Sequence, residues 1–142
     1  MRQALWLVAA TSAAFLAVHA AFGYRAAIGI GYGAITVMST LIAATFLWLW
    51  WQRTTPLALG MAMSWAGTAS VTGWWWAVAL AGRPEAITGN GALLPFLSLQ
   101  IAGAVLHFDV MQTSMGLRRR LFVVPVFAAF AAGAAAAAFT KS

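Results

Sequence analysis

The residues of this chain that could do chemistry lie in one stretch. Residues 93–115 (LLPFLSLQIAGAVLHFDVMQTSM) carry Gln100, His107, Asp109 and Gln112 inside an apolar run long enough to cross a bilayer. Asp109 is the only acid in any such run; the other acid, Glu85, falls in a turn-rich segment. A carboxylate at the middle of a membrane helix costs roughly 2.5 to 3.5 kcal/mol on insertion scales, so it needs protein or water around it. Residues two apart on a helix point in different directions, so His107 and Asp109 are not a ready-made pair and each needs its own partner. Gln100, Gly103, His107, Met111 and Ser114 form one stripe, while Ser98, Ala102, Asp109, Gln112 and Thr113 fall on roughly the opposite side. A helix polar on two faces belongs inside a bundle.

Two readings stand for Asp109. It is a packing acid paired with Arg53 or with one of Arg118, Arg119 and Arg120, or it is a proton or cation site. It sits about two turns from the helix end, within reach of interfacial water. For His107 the choice is a hydrogen bond to a Ser or Thr on a neighbouring helix, or a ligand role. His19 lies near the end of the first apolar run, where a polar interfacial group is expected. The two histidines are the only side chains suited to ligate a haem or transition metal. Opposite-running helices would set them on the order of 10 to 15 Å apart in depth, against the roughly 4 Å that two nitrogens on one metal allow, so one chain is not expected to hold a metal or haem between His19 and His107, which leaves single-histidine ligation or a site shared between chains.

Other chemistries are excluded by absence. The chain has no cysteine, which removes disulfides, thiolate metal sites, iron–sulfur clusters and covalent haem attachment. Its only lysine is Lys141, too near the tail for a retinal Schiff base within the membrane. No Gly-x-Ser-x-Gly elbow, His-Glu-x-x-His pair or Walker loop occurs. No covalent cofactor is expected; a bound lipid, quinone or pigment is compatible with the composition.

That composition fixes the class. Of 142 residues, 63% are hydrophobic and only 7% charged, far from a soluble domain. The net charge of +6 comes from residues at the ends of apolar runs, which reads as topology signal and contact with anionic headgroups rather than nucleic-acid binding. The preference for Ala, Gly and Arg over Lys points to a GC-rich bacterial genome and an inner membrane. The expectation is an all-α polytopic membrane protein, a single transmembrane domain with five spans at about 4–22, 26–51, 56–81, 92–115 and 121–139.

Residues 4–22 carry Trp6 as a headgroup anchor. They also resemble a signal peptide, with Val18 and Ala20 before a cleavage point, but the run is long enough to be a retained helix. Tyr24 and Arg25 are expected to turn the chain into the second run, where Gly29 and Gly33 form a Gly-xxx-Gly pair suited to close helix approach. Trp48, Trp50 and Trp51 crowd its end as an aromatic belt. Pro56 opens the third run at a favoured first position. Gly60, Ser64 and Gly67 give that run a close-packing edge, and Trp65, Thr68, Thr72 and Trp76 give it another. This second edge is either packed core or one wall of a pocket for a flat ligand. Trp74, Trp75 and Trp76 read as the belt at the far interface. A turn-rich segment at 82–91 precedes the fourth run, and Arg118, Arg119 and Arg120 follow it as a topology determinant and headgroup site. The alanine-dominated last run, with Gly133, is expected to pack tightly against the bundle or another chain.

Three function classes fit. The leading one is a non-catalytic subunit or assembly partner of a larger membrane complex. The next is a small oligomeric proton-coupled transporter or channel using Asp109 and His107, and a membrane enzyme on a lipid-soluble substrate has the least support. Membrane lipids are expected partners in each, with a homo-oligomer or a larger complex, and nucleic acid is not. Five spans place Arg2, Arg53 and Arg118–Arg120 on one side, opposite Arg25, Arg83 and Lys141, which puts the N-terminus in the cytoplasm and the C-terminus outside. A reporter that works only outside the cytoplasm should therefore be active when fused after Ser142, and cytoplasmic activity there would overturn this topology.

Overall fold

A computed structural model of the chain describes residues 2–82, 91–114 and 123–139. All regular structure among the described residues is helical: α1, Arg2–Arg53; α2, Pro56–Leu80; α3, Leu93–Ser114; and α4, Val123–Phe139. Among the described residues the helices number four, not five, because the first two apolar runs form one element of 52 residues. Tyr24 and Arg25, expected to make a turn, are helical. The irregular residue is Gly23, at φ 81° and ψ 169°, a region open essentially to glycine alone. No side chain crowds it, since nothing lies within 4 Å of where a Cβ would stand; its requirement for glycine is purely one of backbone. This one residue divides α1 into arms at 2–22 and 24–53. Phe15 Cε1 stands 3.3 Å from the Cβ position of Gly31, so the first arm folds back along the second as a narrow V.

Only Thr54 and Thr55 separate α1 from α2. Thr54 takes a positive φ of 48°, its N–H donating to Trp50 O at 2.7 Å, and Pro56 then starts α2 where no helical N–H is required. At the other end, Ala81 N–H donates to Ala77 O at 2.9 Å before Gly82 leaves the helix with φ 75°. Pro95 is accommodated in the first turn of α3.

Helix α2 is the centre, packed against α1 on one side and α3 on the other. Its contacts with α3 are backbone to backbone. A Cβ on Gly67 would stand 2.5 Å from Gln100 Cα, one on Gly103 would collide with the Ser64 backbone, and one on Gly60 would lie 3.2 Å from His107 N. The partners descend α3 as the glycines and Ser64 ascend α2, which is an antiparallel register maintained over two turns. The α1 contact is built differently. The Cβ position of Gly33 is 2.9 Å from the Trp76 ring, and that of Gly73 is 3.2 Å from Thr36 Cγ2. The Gly-xxx-Gly pair therefore does not bring two backbones together as expected: Gly33 seats an indole, and Gly29 has nothing within 4 Å.

The core inverts the pattern of a water-soluble bundle. Its buried apolar residues are Ala27, Ala43, Ala58, Ala62, Ala69 and Val78, joined by Ser39 at 1% exposure, while Leu5, Trp6, Phe22, Leu41, Trp51 and Phe127 stand outside. Over residues 123–138 helix α4 is exposed apart from half-buried Val126, and Gly133 meets nothing within 4 Å, so among the described residues the tight packing expected of this helix against the bundle is not made. Alanine methyls offer too little surface to hold it there. Two helices, α1 and the Leu93–Gln112 part of α3, are long and apolar enough to cross a membrane.

The glycine contacts differ enough to be told apart. Gly67→Ala should lower the unfolding free energy in detergent by about 1–3 kcal/mol, the usual cost of overpacking, whereas Gly29→Ala should leave it unchanged or raise it. Equal unfolding midpoints for the two variants would rule out the close α2–α3 contact.

Candidate functional site

Hydroxyls that would otherwise weaken α2 become its links to both neighbours. The Thr68 hydroxyl donates back to Ser64 O at 3.0 Å and accepts from Gln100 Nε2 of α3 at 3.4 Å. One turn on, Thr72 Oγ1 donates to Thr68 O at 2.8 Å and lies 3.0 Å from Thr36 Oγ1 of α1. Thr36 Oγ1 is also 2.7 Å from Tyr32 O, so a single proton serves the intrahelical carbonyl and the interhelical contact in turn. The result is a polar seam across three helices centred on Thr68 and Thr72. Two of three consecutive indoles close it toward the C-terminal end of α2. Trp74 meets Phe96 of α3 edge-on with centroids 6.3 Å apart, Trp76 covers Gly33 of α1, and Trp75 faces outward at 38% exposure. Helical steps of 100° send each ring in its own direction, so Trp74 and Trp76 contact neighbouring helices while Trp75 faces outward.

Of the expected pocket wall, Thr68 and Thr72 are taken up in this seam, Trp76 lies against α1, and Trp65 is half-buried. Gly60, Ser64 and Gly67 sit at the α3 contact. His107 faces the start of α2 at Gly60; its Nδ1 is buried without a hydrogen-bond partner among the described residues, as is Gln112 Oε1. The Ser or Thr expected beside His107 is therefore not at Nδ1. Asp109 is half-buried one turn from Gln112. Arg53 is exposed at the end of α1, and Arg118, Arg119 and Arg120 lie outside the described residues, as do Arg83 and Lys141. The structure thus brings Gln100 together with Thr68, and leaves His107 and Gln112 as the two polar side chains with unanswered buried atoms.

His19 belongs to a different place. It is exposed on the first arm of α1, edge-on to Tyr24 with centroids 6.1 Å apart. Arg25, just past Tyr24, reaches Ala79 O at 3.5 Å near the end of α2, whereas His107 abuts Gly60 near its start. Gly60 to Ala79 is roughly 28 Å of helical rise, so the two imidazoles do not meet on one metal in this chain. No group of three His, Cys, Asp or Glu side chains suited to a metal occurs among the described residues.

The concave surfaces at the described residues lie away from the Thr68–Thr72 seam. A cleft of about 730 Å³ separates the arms of α1, lined by Phe15, Leu16, His19, Tyr24, Ile28 and Ile35 among others. A groove of about 880 Å³ runs along α1 and α2 past Arg25, Gly29 and Trp76. A third, about 480 Å³, lies between α3 and α4 at Phe108, Pro125 and Gly133. Sequence reasoning missed the first, although a glycine between an apolar run and Tyr24-Arg25 was its available signal.

Compared with family models, curated proteins and solved structures, the chain matches none. The seam itself is open to measurement. A double-mutant cycle of Thr68→Val and Gln100→Leu, read by unfolding in detergent, should give a coupling of about 0.6 kcal/mol, typical of interhelical hydrogen bonds in lipid. A coupling of zero would mean that Gln100 does not hold α3 to α2.

Proposed function

We propose that this chain is an integral membrane protein acting as a non-catalytic subunit or assembly partner of a larger membrane complex, in a bacterial inner membrane with its N-terminus cytoplasmic and its C-terminus outside. One observation carries the reading: among the described residues the interior is made of Ala, Gly and Ser with a single Val, Val78, while large apolar side chains are exposed on every helix. Helices associate this way where lipid is as apolar as leucine and only packing and hydrogen bonds hold them. Dimensions agree with it. Arg25 and Arg53 close the second arm of α1 at a separation of roughly 42 Å, against about 40–45 Å for a bilayer with its headgroups. The folded-back first arm returns Arg2 toward the Arg53 end, consistent with the charge asymmetry of the sequence. The exposed first arm and the alanine-rich α4 are surfaces suited to lipid or to a neighbouring subunit, and bound lipid, quinone or pigment fits the apolar clefts.

A second reading, a small oligomeric transporter using Asp109 and His107, draws support from the buried unpartnered atoms of His107 and Gln112. Against it, the α2–α3 contact beside them is closed backbone to backbone, leaving no path between those helices within one chain. Purification of the natively expressed, tagged chain separates the readings. Resistance to alkaline carbonate extraction together with a stoichiometric partner is expected. A homo-oligomer without a partner would favour the transporter, and release by carbonate would end both readings.

A further inference from the structure

We propose that the cleft between the two arms of α1 holds an acyl chain of an anionic phospholipid whose phosphate is taken by Arg25. This rests on the membrane reading above and on no partner protein. The cleft closes at the Gly23 hinge, where His19 and Tyr24 sit, and its body runs between Phe15 and Leu16 on one arm and Ile28 and Ile35 on the other. His19 and Tyr24 stand at the hinge, and the rest of the lining is apolar apart from Ser12 and Tyr32, a distribution that suits a lipid. From Tyr24 to Ile35 the rise is roughly 16 Å, half of a hydrocarbon core about 30 Å thick, which is the depth of one leaflet.

The charge stands at the same end. A smaller cavity of about 340 Å³ shares Tyr24 and Ile28 with the cleft and adds Arg25, Ala79 and Gly82. Arg25 donates to Ala79 O at 3.5 Å through one guanidinium nitrogen and is otherwise exposed, leaving further N–H donors in the fork geometry that matches a phosphate. Other occupants fit less well. A helix from a second copy is about 10 Å across, too wide where Phe15 reaches to 3.3 Å from the Cβ position of Gly31. A neutral quinone would leave the guanidinium unmatched.

The test uses the purified full chain in micelles containing equal amounts of phosphatidylglycerol and phosphatidylcholine, with bound lipid counted by native mass spectrometry. The wild type should retain one phosphatidylglycerol with at least tenfold preference. Arg25→Gln should bring the preference near unity, Arg25→Lys should keep part of it, and Leu16→Trp, at a side chain 68% exposed, should expel the retained lipid. Equal retention of both lipids by the wild type, unchanged preference in Arg25→Gln, or a dimer occupying the cleft would overturn the proposal. Should Arg25→Gln fail to fold by circular dichroism, the decision passes to Leu16→Trp: continued retention of phosphatidylglycerol there overturns it as well. A chain that resists carbonate extraction but shows no lipid preference sinks the lipid site alone, whereas a chain released by carbonate sinks the membrane reading with it.

Discussion

The approach of α2 to α3 at Gly60, Gly67 and Gly103 is the contact on which the rest depends. At these positions a methyl group would stand against the neighbouring backbone, so the two helices are nearly as close as main chains allow. Such proximity compensates for a core with no large buried side chain. Dispersion acts over short range, and a loss of even half an ångström forfeits a large part of it. With small residues spent on the interior, the bulky ones are left for the outside, and the bundle becomes apolar on its surface.

The same economy governs the polar groups. Thr36, Thr68 and Thr72 satisfy their hydroxyls on carbonyls a turn away and then reach across to the next helix, so each serves its own helix and the bundle together. Gln100 adds the third helix through Thr68. Because Gly67 brings the Gln100 backbone into contact, its side chain is anchored at the base and has only to extend along the seam. His107 lies in the same register, two turns away, with its backbone against Gly60 and its Nδ1 buried and unanswered among the described residues. A group buried in this way marks either a cost accepted for packing or a function not expressed by one chain alone.

The V of α1 is the opposite kind of feature, loose where the α2 contacts are tight. A single residue outside the helical region turns what would be a rod of roughly 78 Å into two arms, and the arms touch at Phe15 and Gly31 while leaving a cleft along their length. Helix α4 is likewise largely exposed over residues 123–138 and borders α3 across a cleft. Among the described residues the centre is tight and the flanks are open.

The sequence by itself determined the helical class, the apolar runs and the small-residue edge of α2, because these depend on composition and on a 3.6-residue period that local residues carry. It also marked Thr68 and Thr72 as facing something, without saying what. Tertiary structure decided the rest. Gly29 and Gly33 look equivalent in the chain, yet only Gly33 is filled, since what fills it is an indole forty-three residues away at Trp76. Trp74 and Trp76 read as interfacial anchors by their neighbours in sequence, and their contacts with Phe96 and Gly33 arise because helices occupy both sides of α2. The junction of the first two runs showed no breaker beyond one glycine, and glycine is tolerated within helices as readily as it bends them; only the backbone angles at Gly23 distinguish the two. Local pattern specifies which faces are small, polar or large, but which face meets which is set by the register of distant segments, and a linear pattern does not contain it.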